Sequence, residues 1–92
     1  MVAGTLAVSD QEAYILFDSR STHTFVSSKF AKTLTVKSEK LDFELCVSTP
    51  ASNLMCACDV LRSCKVVIES KTVFVDLIVL DMCDFNVIFG MN

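Results

Sequence analysis

The sequence predicts an all-β, barrel-like domain with one short helix, and three observations lead there. Short apolar runs recur along the 92 residues, separated by polar turn residues. A single stretch has helical spacing of its apolar residues. The amount of apolar material, 52% against 21% charged, is enough for a packed core and too much for a disordered chain. A chain of this length makes one domain, so residues 1–92 are read as a single unit.

Val2 to Val8 reads as a strand, and Ser9-Asp10-Gln11 supplies turn residues that reverse the chain into Ala13 to Phe17, a first hairpin. After Asp18 to Thr22 and His23-Thr24-Phe25-Val26, Ser27 can cap a helix running to Leu34. Val26, Phe30 and Leu34 then share one face. Thr35 to Asp42 is polar and reads as a solvated connection, whereas Leu41, Phe43, Leu45 and Val47 alternate as a half-buried strand should. Ser48 to Asn53 holds the chain's only proline and is a loop. Leu54 to Val60 can return as a strand. Cys64 to Glu69 and Thr72 to Leu80 then flank Ser70-Lys71 as a second long hairpin, and Phe85 to Phe89 gives a final apolar strand before Gly90. Two runs are alike, Tyr14 to Asp18 (YILFD) and Asn86 to Gly90 (NVIFG), a weak internal duplication. The total is about eight strands and one helix.

Composition also excludes functions. A mean hydropathy of +0.53 could suggest a membrane protein, but no window reaches the ~18 to 20 consecutive apolar residues a spanning helix needs. The excess is read as core plus a buried subunit interface. A net charge of -3 with scattered Lys and Arg argues against direct nucleic-acid binding. The N-terminus lacks the basic region of a signal peptide, so an intracellular, cytoplasmic location is expected. Five cysteines, Cys46, Cys56, Cys58, Cys64 and Cys83, are an odd number, which speaks against a complete disulfide framework, and they are read as small buried hydrophobes. A metal site built from Cys56, Cys58, Cys64 and His23 would match no common zinc spacing. No metal or other cofactor is expected.

The stretch LFDSRST, Leu16 to Thr22, carries the chemistry. A carboxylate at the end of a buried strand is costly unless it is hydrogen-bonded, paired or functional. Asp18 could simply cap the following turn, with Ser19 and Ser21 sharing its hydrogen bonds. It could instead be a catalytic carboxylate. Two carboxylates held close share a proton, activate water and protonate a leaving group. This chain offers one such position, so a symmetric dimer would have to supply the second across its twofold axis.

Phe17 to Val26 (FDSRSTHTFV) resembles the Asp-Ser-Gly-Ala-Thr-His-Ser-Phe-Ile signature of retropepsin-like aspartic proteases, especially those of gypsy-type long-terminal-repeat retrotransposon polyproteins. LDFELCVSTP and VDLIVLDMCDFNVIFGMN are similar to two further stretches of that family, in the same order and spacing. The resemblance covers nearly the whole chain. It implies the acid-protease closed barrel, with an active site formed at a homodimer twofold, and an endopeptidase acting on polypeptide, ancestrally the element's own polyprotein. Asp18 matches the catalytic aspartate, and Ser19 the hydroxyl residue that braces the two active-site loops across the twofold. Ser21 and Thr22 match residues shaping the floor of the site. The loop from Ser48 through Thr49, Pro50, Ala51, Ser52 and Asn53 to about Cys58 matches the flap over the substrate, and Gly90 the glycine that lets the last strand pass behind the active-site loop.

Three departures bear on activity. Arg20 stands where the family has glycine, a residue free in backbone conformation and without a side chain beside the aspartate. A guanidinium near a carboxylate pair favours the doubly ionised form, so the pair loses the shared proton. This copy is therefore expected to be a weak or inactive protease, or a catalytically silent dimerisation or peptide-binding module on the same fold. The flap also lacks the glycines that usually make it mobile. The family often continues with aspartate, tryptophan and more chain where this sequence has Asn92, which implies a domain shortened at its C-terminus and a weaker dimer.

Overall fold

The computed structural model describes residues 2–48, 54–82 and 85–90. Seven strands and one helix run in the order β1 (Val2–Val8), β2 (Gln11–Asp18), β3 (Phe25–Ser27), α1 (Ser28–Ala31), β4 (Ser38–Ser48), β5 (Leu54–Ile68), β6 (Lys71–Leu80) and β7 (Val87–Gly90). They form one sheet in the order β1-β2-β7-β3-β6-β5-β4, and β1 also pairs with β5. That last pairing, Ala7 with Val67 and Val8 with Val66, closes six strands into a barrel and removes the free edges an open sheet would present. Strand β4 stays outside the ring, joined among the described residues to β5 alone.

Two turns hold the barrel's hairpins. Ser9-Asp10 connects β1 to β2 and Glu69-Ser70 connects β5 to β6, with φ positive at all four residues. Positive φ at both central positions is what a two-residue turn needs to match the twist of its strands. The second turn therefore lies one residue earlier than the sequence suggests, because the register places Ile68 opposite Lys71.

The structure has seven strands among its described residues where the sequence suggests about eight. Leu54–Val60 and Cys64–Glu69 are not two strands; all but Glu69 belong to the single β5. The apparent break is a bulge: Arg62 and Ser63 together oppose Asp76, between the pairs Leu61–Leu77 and Cys64–Val75. An extra residue bends a strand without ending it. Ser63 takes φ 54° there, and its N–H donates to Asp76 Oδ1 at 2.9 Å. In the other direction, Phe25–Ser27 forms a short strand not anticipated from the sequence, while Ser38–Asp42 belongs to β4 and not to a connection. The residues of that stretch are nevertheless exposed or half-buried, as a solvated segment should be.

The helix is shorter than its periodicity implies. Ser27 caps it, its Oγ accepting from Phe30 N at 3.0 Å. Thr33 Oγ1 then donates to the Phe30 carbonyl at 2.7 Å, and a hydroxyl that engages a backbone carbonyl competes with continuation of the helix. The chain leaves through tighter turns, Thr33 N to Phe30 O and Leu34 N to Ala31 O. Val26, Phe30 and Leu34 still share the core, where they meet Val8, Ile15, Leu61, Leu77 and Val87.

A second cluster lies on the other side of the sheet: Leu16, Phe25, Ala57, Val60, Ile78, Leu80, Met82 and Ile88. Adjacent residues of β2 (Ile15, Leu16), β6 (Leu77, Ile78) and β7 (Val87, Ile88) face opposite clusters, so these strands are covered on both faces. That explains their unbroken apolar runs. Two of those runs are the similar pair noted in the sequence. They lie side by side and parallel, with Ile15, Leu16, Phe17 and Asp18 opposite Val87, Ile88, Phe89 and Gly90.

Candidate active site

The site begins at the end of β2, where the chain must cross from one side of β7 to the other. Strand β7 pairs with β2 on one edge and with β3 on the other, so residues 19–24 form a loop across its end. Asp18 is the last residue of β2, half-buried and directly opposite Gly90. A tight turn follows: Ser21 N–H donates to the Asp18 carbonyl at 3.2 Å, and Arg20 N–H donates to Asp18 Oδ1 at 3.0 Å. Asp18 thus caps its own turn through one carboxylate oxygen. Its Oδ2 makes no hydrogen bond to another described residue, so capping and chemistry are compatible in this geometry.

The rest of the loop is tied to its own backbone and to β7. Ser21 Oγ donates to the His23 carbonyl at 2.6 Å, and the His23 N–H reaches back to Ser21 Oγ at 3.4 Å. Thr24 Oγ1 accepts from Gly90 N at 3.2 Å, while the Thr24 carbonyl accepts from Ile78 N at 2.9 Å. At Gly90 the approach is so close that a Cβ would fall on the His23 carbonyl and within 2.9 Å of the Ser21 carbonyl oxygen. Both obstacles are backbone, which cannot rotate aside. The need at Gly90 is for space, since its φ is not positive.

Arg20 differs from what the family's glycine leads one to expect. Its φ is not among the positive values, so this turn is built without the conformation only glycine adopts easily. The backbone objection to arginine therefore falls, and only the side-chain objection stands. Arg20 is exposed, and among the described residues no carboxylate lies within ion-pairing distance of its guanidinium.

Asp18, Arg20, Ser21, Thr22 and His23 form one wall of a cleft of about 450 Å³. Phe25, Leu80 and Ile88 from the second core cluster, with Val47 and Ser48 from the end of β4, line the rest. Asp18 is the sole carboxylate among the described residues of that lining. Of the residues singled out in the sequence, the structure brings Asp18, Arg20, Ser21, Thr22 and Ser48 together and sets Gly90 beneath them. Ser19 is exposed and does not line the cleft. Thr49, Pro50, Ala51, Ser52 and Asn53 lie outside the described residues. Sequence reading missed Thr24, whose hydroxyl ties the loop to β7, and the apolar lining from Phe25, Leu80 and Ile88. In sequence Leu80 and Ile88 are ordinary strand residues and nothing marks Thr24 or Phe25 for these places; only the order of strands shows that they meet.

The cysteines correct the reading of five buried free thiols. Cys46 and Cys56, directly opposed on β4 and β5, are joined in a disulfide; Cys58 is exposed and Cys64 buried, and Cys83 lies outside the described residues. The structure does not assemble the set Cys56, Cys58, Cys64 and His23. The grouping it does contain, Glu44 with Cys46 and Cys56, has both sulfurs committed to the disulfide. No helix among the described residues is long and apolar enough to cross a membrane.

A six-strand barrel carrying an aspartate at the mouth of an apolar cleft, over a glycine-floored strand crossing, defines the class of retropepsin-like folds. The chain belongs to the retroviral aspartyl protease family, whose model matches residues 1–92. Among solved structures it is similar to EIAV protease complexed with the inhibitor HBY-793, at a TM-score of 0.75 and 9% identity, covering 97% of this chain and 80% of that one. No curated protein matches it.

Proposed function

We propose that this chain is one subunit of an aspartic endopeptidase of the retrotransposon polyprotein-processing type, completed by a second copy and attenuated by Arg20. The observation that carries the reading is the composition of the cleft: one carboxylate, Asp18, with an oxygen directed to no described partner, beside an apolar lining suited to a polypeptide. A single carboxylate cannot be acid and base at once. A twofold related copy would set a second Asp18 beside the first, and the two would share one proton. The deprotonated member then takes a proton from water as it attacks the peptide carbonyl, and the protonated member gives one to the leaving amine. Ser19, exposed beside the aspartate, is free to meet its twin across the axis. Ser21 and Thr22 shape the floor, and the segment from Ser48 to Asn53 closes over substrate.

Arg20 favours the second reading, a silent module that retains the cleft. Arg20 lines the same wall as Asp18, and a cation brought to the carboxylate pair stabilises its doubly ionised form, which has no proton to give. Because the turn already has ordinary backbone angles at Arg20, removing the side chain should restore chemistry without rebuilding the loop.

The test is cleavage of an unfolded protein from acid to neutral pH, in reductant, by the unmodified chain, Arg20→Gly, and Arg20→Gly with Asp18→Asn. We expect Arg20→Gly to cut about 100-fold faster than the unmodified chain, in line with the cost of misplacing one acid–base group, and the double variant not to cut. Equal rates with and without Arg20 would overturn attenuation. Cleavage by the double variant would overturn the role of Asp18.

A further inference from the structure

The Cys46–Cys56 disulfide sits where the hairpin of β4 and β5 reaches the cleft. Pairing of these strands is interrupted between Lys40 and Leu45, and among the described residues four pairs follow it: Leu45–Ala57, Cys46–Cys56, Val47–Met55 and Ser48–Leu54. Such a short ladder is weak by itself. One face of it, Leu45, Val47, Met55 and Ala57, packs on the second core cluster. The alternate positions Cys46 and Cys56 are exposed, so their sulfurs are open to thiols and oxidants in solution. Val47 and Ser48, the next residues along β4, line the cleft.

We infer that Cys46 and Cys56 form a reversible redox clamp on the hairpin that overhangs the cleft, rigid as the disulfide and compliant as the dithiol. The inference rests on the reading of the cleft as a polypeptide site. Oxidation by a glutathione-type disulfide removes one proton and one electron from each cysteine thiol, forms the S–S bond and releases two glutathione thiols. A dithiol reductant reverses it by exchange through a mixed disulfide. The bond crosses the middle of these four pairs. It therefore suppresses separation of the two strands, the local motion a short ladder otherwise allows, and substrate entry between hairpin and floor slows.

The experiment uses the full chain in an Arg20→Gly, Cys58→Ser background, which keeps the other exposed thiol among the described residues from exchanging with the pair. Hydrogen exchange of residues 44–58 and cleavage of an unfolded protein are each measured after equilibration with glutathione disulfide or dithiothreitol, with and without Cys46→Ser. Expected are exchange at least 10-fold slower and cleavage at least 3-fold slower in the oxidised state, both differences vanishing in Cys46→Ser. Failure of the pair to oxidise, equal exchange in the two states, or slowed exchange with unchanged cleavage would each overturn the clamp. If exchange responds as expected and nothing is cut in either state, the endopeptidase reading falls and the gating of entry falls with it. If peptide is cut equally fast in both states, the endopeptidase reading stands and the clamp alone fails.

Discussion

The floor of the cleft and the hairpin that overhangs it are built on opposite principles. The floor is the crossing of β2, residues 19–24, β3 and β7, where each strand is paired on both edges and the loop is fastened by Ser21 and Thr24. The hairpin is paired along one edge, broken in register at Leu41 to Glu44, and exposes Phe43 at 57% and Leu54 at 72%. Tolerance to change should divide the same way. At Gly90 in the floor a methyl group has nowhere to go, whereas in the hairpin more than half of the Phe43 surface is already in solvent. The difference places Arg20 informatively: it lies in the rigid region, yet it is exposed there, so its side chain can be removed without disturbing the packing beneath it.

Two large effects of similar size stand at the top, and the first is Gly90→Ala. The added methyl meets the backbone carbonyls of His23 and Ser21, so either β7 or the loop must shift, at about 2–4 kcal/mol. Urea unfolding measures this, and a loss under about 0.5 kcal/mol would show that the crossing is looser than its geometry implies. Next is a matched pair. Leu77 is fully buried in the first cluster, and Leu77→Ala should cost about 2–5 kcal/mol by lost burial and the cavity left behind. Phe43→Ala removes a larger side chain from the exposed hairpin and should change stability by about 0.5 kcal/mol or less. Comparable losses for the two would remove the distinction between the packed core that carries the floor and the exposed overhang.

What was legible in the sequence follows the same division. The runs YILFD and NVIFG announce strands buried on both faces, and their likeness anticipates two elements in equivalent surroundings, here parallel neighbours in register. Ser27 as a cap and the shared face of Val26, Phe30 and Leu34 were legible because capping and periodicity are local. The length of the helix was not, because Thr33 ends it through a single hydroxyl. Nor was the continuity of β5, since a bulge held by the Asp76 side chain from another strand looks in sequence like a turn. The cleft was half legible. Asp18 to Thr22 are contiguous and carry a motif, but Leu80 and Ile88 reach the cleft only through strand order, and the opposition of Cys46 to Cys56 depends on a register that is set after the irregularity at Leu41 to Glu44.

The smallest expected effect concerns alkaline pH, and it again separates an interior from an exterior group. Burial pushes the Cys64 thiol up, with the Asp76 carboxylate adding to it, and the S–H points at the Leu61 carbonyl. A group with a raised folded pKa holds its proton in the native state after the unfolded chain has released it, so the associated stability is complete below the unfolded value near 9.0 and declines as pH rises through the folded one. Lys40 is also raised, first by its hydrogen bond to Asp59 and then by that carboxylate's charge, and the sign is the same. But Lys40 lies in solvent on the hairpin, where water screens the pair, so Lys40→Ala should leave the pH profile unchanged. Cys64→Ala should lower stability at pH 7 through the cavity it leaves and yet flatten the decline above pH 9, because the buried proton that produced the slope is gone. An undiminished slope in Cys64→Ala would assign the alkaline loss to other groups and leave Cys64 as a packing residue alone.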